Sequence, residues 1–511
     1  MNRLLKFGKR AIFASGLTIV LVKIYTFSAS YFRLHNPVSL ISPHYQDKWK
    51  SLPNFSRRLV GNMIVGLGIS LLLIALHDTP FHRGMEDAAL DWMMKMYSGT
   101  PPQKDAVPFA FLDIDDATHR LWGEPYITPR DKILELLRFA LSGNPATVVI
   151  DIDLSRRAGN GDTALEDFIR QYPSNQEAGS SPPQDNPPII LSRIFRPAAD
   201  ATNGINYEIR PSFLDQAVAT APLVYWASPL FDIDEDFAIR GWRPWEITCG
   251  RNAVQITPSV QLLAYLQLRM HQIPSDAVND MHRQLSISAL SYCETHESVH
   301  SEMQADKLVQ TPDHQPLIIG DLKLHHRKTN LSRRFIYEVP WKLEPGETRP
   351  ILEYQEKMVP ALSTRSAGVI TQQAGMVDSA WLAGHIVIIG GSYQEGRDIF
   401  PTPIGQMPGA LVLINAIHSL LQYGELKPPP LWIMLLVQAL LIIFISAIFS
   451  RFDSFWGMLA SGGLVILLLL PVSFWIFRYG IWVDFALPLL AVQFHHMAME
   501  FREDSAKQES E

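Results

Sequence analysis

Four aspartates sit in pairs at the ends of two short apolar runs. Asp113 and Asp115 close PFAFLDIDD (108–116), and Asp151 and Asp153 close ATVVIDIDLS (146–155). An apolar run of this length bounded by polar residues reads as a buried strand. Alternation sends the two acids of each pair to one face of their strand. Carboxylates gathered there repel unless a cation, the nearby Arg130 or backbone donors neutralise them. A hard-cation site is one reading of such a cluster. The other is that the acids cap helix starts and hold loops in place.

Other chemistry-bearing residues carry weaker signals. Asp232, Asp234 and Asp236 form D-x-D-x-D, but Phe237 and Arg243 stand where an EF-hand needs Gly and Glu, so a solvated turn is expected. Gly390-Gly391 after HIVII satisfies neither phosphate-loop pattern and reads as a tight turn that needs backbone freedom. The motif G-x-S-x-G, and H-x-E paired with C-x-x-C, do not occur, which removes the common serine-hydrolase and deaminase signatures; H-E-x-x-H is present once, as His296-Glu297-Ser298-Val299-His300. His495 and His496 are adjacent, so on a helix they diverge by about 100° and suit a membrane-surface position better than a joint metal site. Asp484 lies inside an apolar segment, six residues after Arg478. It is a functional candidate by position, with a surface ion pair to Arg478 as the simpler reading. Two cysteines, Cys249 and Cys293, make neither a disulfide framework nor a structural zinc site, and whether they pair is open.

The elements that must position the acids are legible around them. Thr128-Pro129-Arg130-Asp131 supplies an N-cap, a proline at the first helical position and an acid in the first turn, ahead of KILELLRFAL; Gly143 is the stop. Strand, helix and strand in so short a span make a βαβ unit, whose two strands are expected to be parallel neighbours. Their carboxyl ends then lie side by side, where open α/β sheets bind ligands. Further strands are expected over 188–195, 221–231, 335–340 and 385–391, and helices over 258–270 and 408–424. Residues 171–188 read as a flexible loop and 275–315, with four histidines, as an insertion. Lys427-Pro428-Pro429-Pro430 is a stiff spacer.

Around this block of residues 80–428 the chain is apolar. Of 511 residues 47% are hydrophobic and only 19% charged, which excludes disorder, collagen-like repeats and a small disulfide scaffold, and points to membrane. Leu59–Leu76 holds eighteen uncharged residues, about 27 Å as a helix and long enough to span. Residues 431–449 and 455–477 are stronger candidates, and 481–498 is a fourth span. The net charge of −7 divides into +9 over residues 1–58 and −16 over the rest. The basic segment places the amino terminus in the cytoplasm, the 80–428 block outside, and the 499–511 tail back in the cytoplasm. Residues 11–22 are read as an interfacial helix, a further span or the core of a signal peptide.

Several stretches resemble the CHASE2 domain, an extracytoplasmic sensory module of bacterial receptors. They are FLDIDDATHRLWGEPYITPRDKILELL (111–137), VVIDIDLS (148–155), FDIDEDFAIRGW (231–242) and GHIVIIGGSYQEGRDIFPTPIGQMPGALVLINAIHSLL (384–421). The last is the most specific, with Asp398 ahead of Phe-Pro-Thr-Pro. The likeness departs at Asp236-Phe237, where the family tends to have Asp-Gly, and at both insertions. It implies an α/β sensor domain with a mixed or mostly parallel sheet and flanking helices, plus a transmembrane α-helical part with one helix before the sensor and three after it. Asp113, Asp115, Arg130, Asp151, Asp153 and Asp398 are the candidate ligand-binding residues. The resemblance implies a bacterial inner-membrane sensor that binds an unknown small ligand or envelope protein. Only residues 500–511 follow the last span, so the output is expected to pass to a separate cytoplasmic or membrane effector, or through a homo-oligomer. No enzyme activity, catalytic residue, metal, cofactor or nucleic acid is expected. A scaffolding subunit that holds an envelope protein and an outer-face metal-dependent hydrolase are the rival readings.

Overall fold

A computed structural model describes residues 53–75, 79–99, 106–173, 186–197, 207–249, 254–270, 317–319, 322–324, 333–343, 349–373, 376–426, 430–452 and 454–482. They fall into two compact units: helices from the chain up to Glu86 and from Pro429 onward, and an α/β unit of Asp87–Pro428 together with Ile476–Trp482.

The α/β unit is organised by six strands: β1 (Phe109–Ile114), β2 (Thr147–Asp151), β3 (Ile189–Ser192), β4 (Val224–Ala227), β5 (Leu362–Ser366) and β6 (Ile386–Gly391). They form one sheet in the order β5-β1-β6-β2-β3-β4, with every neighbouring pair parallel. Parallel sheets need cover on both faces, which is why β1, β2, β3 and β6 are almost continuously apolar and buried. On one face Ala110, Leu112, Val148, Ile150, Leu191, Val387 and Ile389 share a core with three amphipathic helices, α4 (Arg130–Ser142), α5 (Asp162–Gln171) and α6 (Asp215–Thr220). The opposite face is covered by α7 (Val260–Met270), against β2 and β3, and α9 (Gly409–Tyr423), against β6. Two short helices follow the first and fifth strands, α3 (Asp116–Leu121) after β1 and α8 (Ala367–Gln372) after β5. Short antiparallel hairpins, among them 231–242 and 399–408, fill out the connections.

Three features depart from the sequence expectation. The strands ending in Asp113 and Asp151 are parallel but are not neighbours, because β6 lies between them with Asp113, Gly390 and Asp151 in one lateral row. At the usual inter-strand spacing their Cα atoms are therefore about 9–10 Å apart. A strand from far along the chain cannot be placed by local pattern. The expected strand at 335–340 is instead an extended segment without a ladder. Three of its backbone amides are satisfied by side chains: Ile336 donates to Ser419 Oγ at 2.9 Å, and Glu338 and Val339 donate to Asn415 Oδ1 at 3.0 and 2.9 Å, while Phe335 donates to the Arg240 carbonyl at 3.2 Å. The edge strand β5 had no apolar signature, since Thr364 and Arg365 are exposed.

Gly390 shows why a glycine belongs at the end of β6. Its φ is not positive, so the need is space and not backbone freedom. A Cβ there would lie 2.8 Å from the Ala410 Cβ, so the bare backbone lets the first turn of α9 rest on the sheet.

The helical unit contains α1 (Asn54–Ala75), α10 (Leu431–Arg451) and α11 (Ser454–Leu464); α11 runs through a π-helical stretch, Val465–Leu469, into α12 (Leu470–Phe477). The helix α2 (Pro80–Tyr97) begins at the end of this unit. The expected spans 431–449 and 455–477 are thus helical, as is 59–76 up to Ala75. Within the described residues, Leu459–Phe477 is long and apolar enough to cross a membrane. Helices α1 and α10 pack together, and the buried Asn62 donates through Nδ2 to the Ser446 carbonyl and to Ser450 Oγ at 3.5 and 3.4 Å. Residues 1–52, Cys293 and all of the expected fourth span beyond Trp482 lie outside the described residues.

Substituting Gly390→Ala is expected to destabilise the α/β unit by about 1–3 kcal/mol through overpacking against Ala410. Thermal melts of the full chain followed by circular dichroism read this loss, and an unchanged midpoint would show that α9 does not rest on the sheet there.

Candidate functional site

The loops leaving the carboxyl ends of β2, β3, β4 and β6 enclose a cavity of about 610 Å³. Its polar lining includes Asp151, Asp153, Arg156, Ser192, Arg210 and Asp398, and its walls include Phe231, Phe400 and Leu413. Tyr126, Tyr207 and Tyr393 complete the rim. The size and mixed lining are those of a small-molecule site.

Asp151 and Asp398 form the acidic end of the cavity. Asp151 ends β2 and faces the α9 side, where Ser192 Oγ, one strand over, donates to its Oδ1 at 2.9 Å. Asp398 follows the β6 loop and lies against the first residue of α9, so that a Cβ on Gly409 would sit 2.6 Å from Asp398 Oδ2. The positive end of a helix favours a carboxylate at this place. Burial nevertheless pushes Asp398 up to about 8, and the neighbouring Asp151 charge adds to this, while the Gly409 amide acts the other way. Burial likewise pushes Asp151 up to about 6, against the Ser192 hydroxyl. The pair therefore keeps a proton near neutral pH, which is how two buried carboxyls share one space.

The other candidate residues are placed differently. Asp113 is buried but does not line the cavity. Ser392 Oγ donates to its Oδ2 at 2.8 Å, its Oδ1 has no hydrogen-bond partner among the described residues, and burial first, then Asp115, pushes it up to about 7. Asp115 is the N-cap of α3, accepting from the Thr118 amide and hydroxyl at 2.7 Å each. Arg130 is fully buried, yet it pairs with no carboxylate at hydrogen-bond distance among the described residues. Its Nη2 donates to the carbonyls of Asp153 and Arg156, both at 2.7 Å. It thus holds the shape of the loop after β2 that walls the cavity. Asp153 lines the rim, half-exposed, with Arg210 Nη1 at 3.8 Å. The structure thus brings Asp151, Asp153 and Asp398 together and leaves Asp113, Asp115 and Arg130 outside. The four strand-end acids do not form one cluster. No group of three or more His, Cys, Asp or Glu among the described residues is arranged to hold a metal.

Sequence reasoning missed Ser192, Ser392, Arg210 and Tyr393. The two serines directly follow apolar strand runs, a position that could have marked them. Tyr393 stacks on His119 with centroids 4.3 Å apart and planes at 11°, and the loop carrying it is pinned where the Gln394 amide donates to Asp116 Oδ1 at 2.9 Å.

D-x-D-x-D is a turn with an exposed tip at Glu235, Asp236 and Phe237, as expected, but its aspartates are also paired. Arg240, 7% exposed at its side chain, holds Asp91 of α2 with Nε and Nη2 at 2.9 and 2.7 Å, and it also holds Asp234 and Asp236. Arg334 joins Asp87 at 2.6 Å and Asp234 at 3.3 Å, and Arg243 joins Asp232 at 2.8 Å. Hydrogen bonds from Arg240 hold the Asp236 carboxyl down at about 2. The aspartates are the counter-charges of buried arginines, which tie the hairpin 231–242 to α2.

Two outcomes follow. Arg240→Met leaves Asp91 and Asp236 without their cation and Asp234 with Arg334 alone, and is expected to cost about 3–5 kcal/mol of stability, measured by chemical denaturation. The second concerns pH. Asp113, Asp151 and Asp398 have native pKa values raised above the unfolded range, so their contribution to stability is complete below about pH 4 and is lost as pH rises through about 6 to 8. Between pH 5 and pH 9 the thermal midpoint of the α/β unit is expected to fall, and Asp398→Asn to flatten that slope. A midpoint independent of pH in this range would remove the proposed buried proton.

The sequence profile of the CHASE2 domain matches residues 67–450. No curated protein and no solved structure matches the chain. The matched region takes in the whole parallel sheet, the cavity and parts of α1 and α10. Most of the chain is thus accounted for by one family, and the protein belongs to the CHASE2 domain family, a family of extracellular sensor domains.

Proposed function

We propose that this chain is a membrane-anchored sensor whose cavity at the carboxyl ends of β2, β3, β4 and β6 takes up a small extracytoplasmic ligand. The observation that carries this reading is the cavity of about 610 Å³, lined by Asp151, Asp398 and Arg210, in a domain whose family is sensory. The protein works as a binding protein and not as an enzyme. Helices α1, α10 and α11–α12, with the expected segment 481–498, anchor it in a bacterial inner membrane as a multi-pass protein. Both termini are cytoplasmic. The effector is a separate protein.

Helix α9 suits the task of carrying a change away from the ligand. Gly409, Val412 and Leu413 of its first turns line the cavity. At its far end, the Tyr423 hydroxyl is hydrogen-bonded to Glu338 and to Tyr97, the last residue of α2. His418 Nε2 meets the same Glu338 at 2.6 Å, with both side chains 2% exposed. A ligand shifts such an element only as far as it binds two arrangements differently.

Two measurements test the reading. In a chain with Cys249 and Cys293 replaced by Ser, Met376→Cys, at a site 85% exposed, is expected to react with a membrane-impermeant maleimide in intact spheroplasts, and Asn2→Cys only after permeabilisation. The reverse pattern overturns the orientation. Gentle solubilisation of the full-length protein, followed by mass spectrometry, is expected to recover a stoichiometric partner bearing a cytoplasmic effector domain. Recovery with envelope proteins alone would favour a scaffold.

A further inference from the structure

We infer that the cavity's ligand is a small organic cation, an ammonium or guanidinium compound with an apolar body, whose charged group is held between Asp151 and Asp398. This rests on the reading of the cavity as a ligand site and adds the class of ligand.

The argument starts from the counter-charges. The cavity is lined by three acids and two arginines, but these are not evenly matched. Asp153 has Arg210 within 3.8 Å, and Arg156 is exposed at the rim. Asp151 and Asp398 have no ion pair with any Lys, Arg or His among the described residues. Asp151 accepts from a neutral serine, and Asp398 faces the amide of Gly409. At the hairpin 231–242 the acids are paired instead: Asp91, Asp234 and Asp236 all answer to Arg240, while Asp113, which also lacks a cation among the described residues, lies outside the cavity. An acidic pair left to share a proton inside a cavity is what remains when the missing cation comes from outside. A ligand ammonium would replace that proton and meet two carboxylates by charge-assisted hydrogen bonds.

The walls decide between an organic cation and a bare metal ion. A hard divalent ion asks for six or more oxygen ligands, whereas Asp151, Asp153 and Asp398 are not arranged as a metal-holding group among the described residues, and a cavity of about 610 Å³ far exceeds an ion. Away from the acids the lining is Ile152, Ile194, Leu230, Phe231, Phe400 and Leu413, suited to a hydrocarbon or aromatic body. Tyr126, Tyr207 and Tyr393 stand at the same cavity. Aromatic faces attract a cation through the ring quadrupole, so the tyrosines suit an incoming cation as well as an apolar body. An anionic ligand would meet the acidic pair, with Arg210 shared with Asp153 at 3.8 Å and Arg156 at the exposed rim.

The test uses the full-length protein in detergent and three probes of similar shape: phenethylammonium, phenylacetate and 2-phenylethanol. Binding is followed by equilibrium dialysis, with Asp151→Asn and Asp398→Asn in the same micelles as controls for partitioning. Phenethylammonium is expected to bind the unaltered protein at least tenfold more tightly than the other two. Each substitution is expected to remove at least tenfold of that affinity and to leave 2-phenylethanol within twofold. Circular dichroism and melting confirm that both variants are folded; should one fail to fold, the other carries the comparison. Preferential binding of phenylacetate, or ammonium binding that survives both substitutions, overturns the organic cation and leaves the cavity as a ligand site. If none of the three binds at about 10 mM, above the roughly millimolar affinity open to ligands of this size, the cavity reading falls as well.

Discussion

Charge at the carboxyl end of a parallel sheet is the constraint on which this molecule is arranged. Strands that are buried on both faces end together, and the acids placed there lose much of their water. Each must be separated, capped, paired or protonated. The chain uses all four solutions within one sheet edge. Insertion of β6 parts Asp113 from Asp151, with Gly390 between them. Asp115 is turned into a helix cap. Asp153 is drawn toward Arg210. Asp151 and Asp398 both line the cavity, where burial pushes each toward the protonated form.

The same chain handles its second group of acids by pairing. Asp232, Asp234 and Asp236 of the hairpin, with Asp87 and Asp91 of α2, are matched by Arg240, Arg243 and Arg334. Removing one partner of such a network leaves an uncompensated buried charge, so its value lies in fixing one arrangement of hairpin and helix. Arg130 plays a comparable role for the cavity without touching it, since its guanidinium gathers the backbone carbonyls of the loop after β2. The contrast between paired acids there and unpaired acids in the cavity gives the site its character.

Helix α9 connects two polar centres. Its first residue is a glycine because Asp398 occupies the space a side chain would need, and its second turn carries Asn415, which bonds the backbone of Glu338 and Val339 in the segment 335–340. Its last turns carry His418 and Tyr423 to the buried Glu338. All of its residues from Gly409 to Leu421 are buried.

Much of this was readable from residue order, because strands and helices follow from local periodicity. The runs ending in Asp113 and Asp151, the helix after Thr128 and the helix opened by Pro408-Gly409 appear where their patterns place them. The stretches around 111–137 and 384–421 were enough to indicate the family that the profile match then showed. Residue order also put the candidate site at the strand ends, and Asp151, Asp153 and Asp398 do line the cavity. What needed the tertiary structure is everything that depends on which distant segments meet. The placement of β6 between β1 and β2, the arginines that answer D-x-D-x-D, and the serines beside Asp113 and Asp151 come from contacts between residues 41 to 279 positions apart, apart from the pairs within the hairpin itself. The extended segment at 335–340 shows the same limit. Its composition suits a strand, but the side chains of α9 satisfy three of its amides, and no local pattern records a partner 76 residues away. Periodicity determines what an element is. The neighbours that neutralise a buried charge are decided only when the chain has folded.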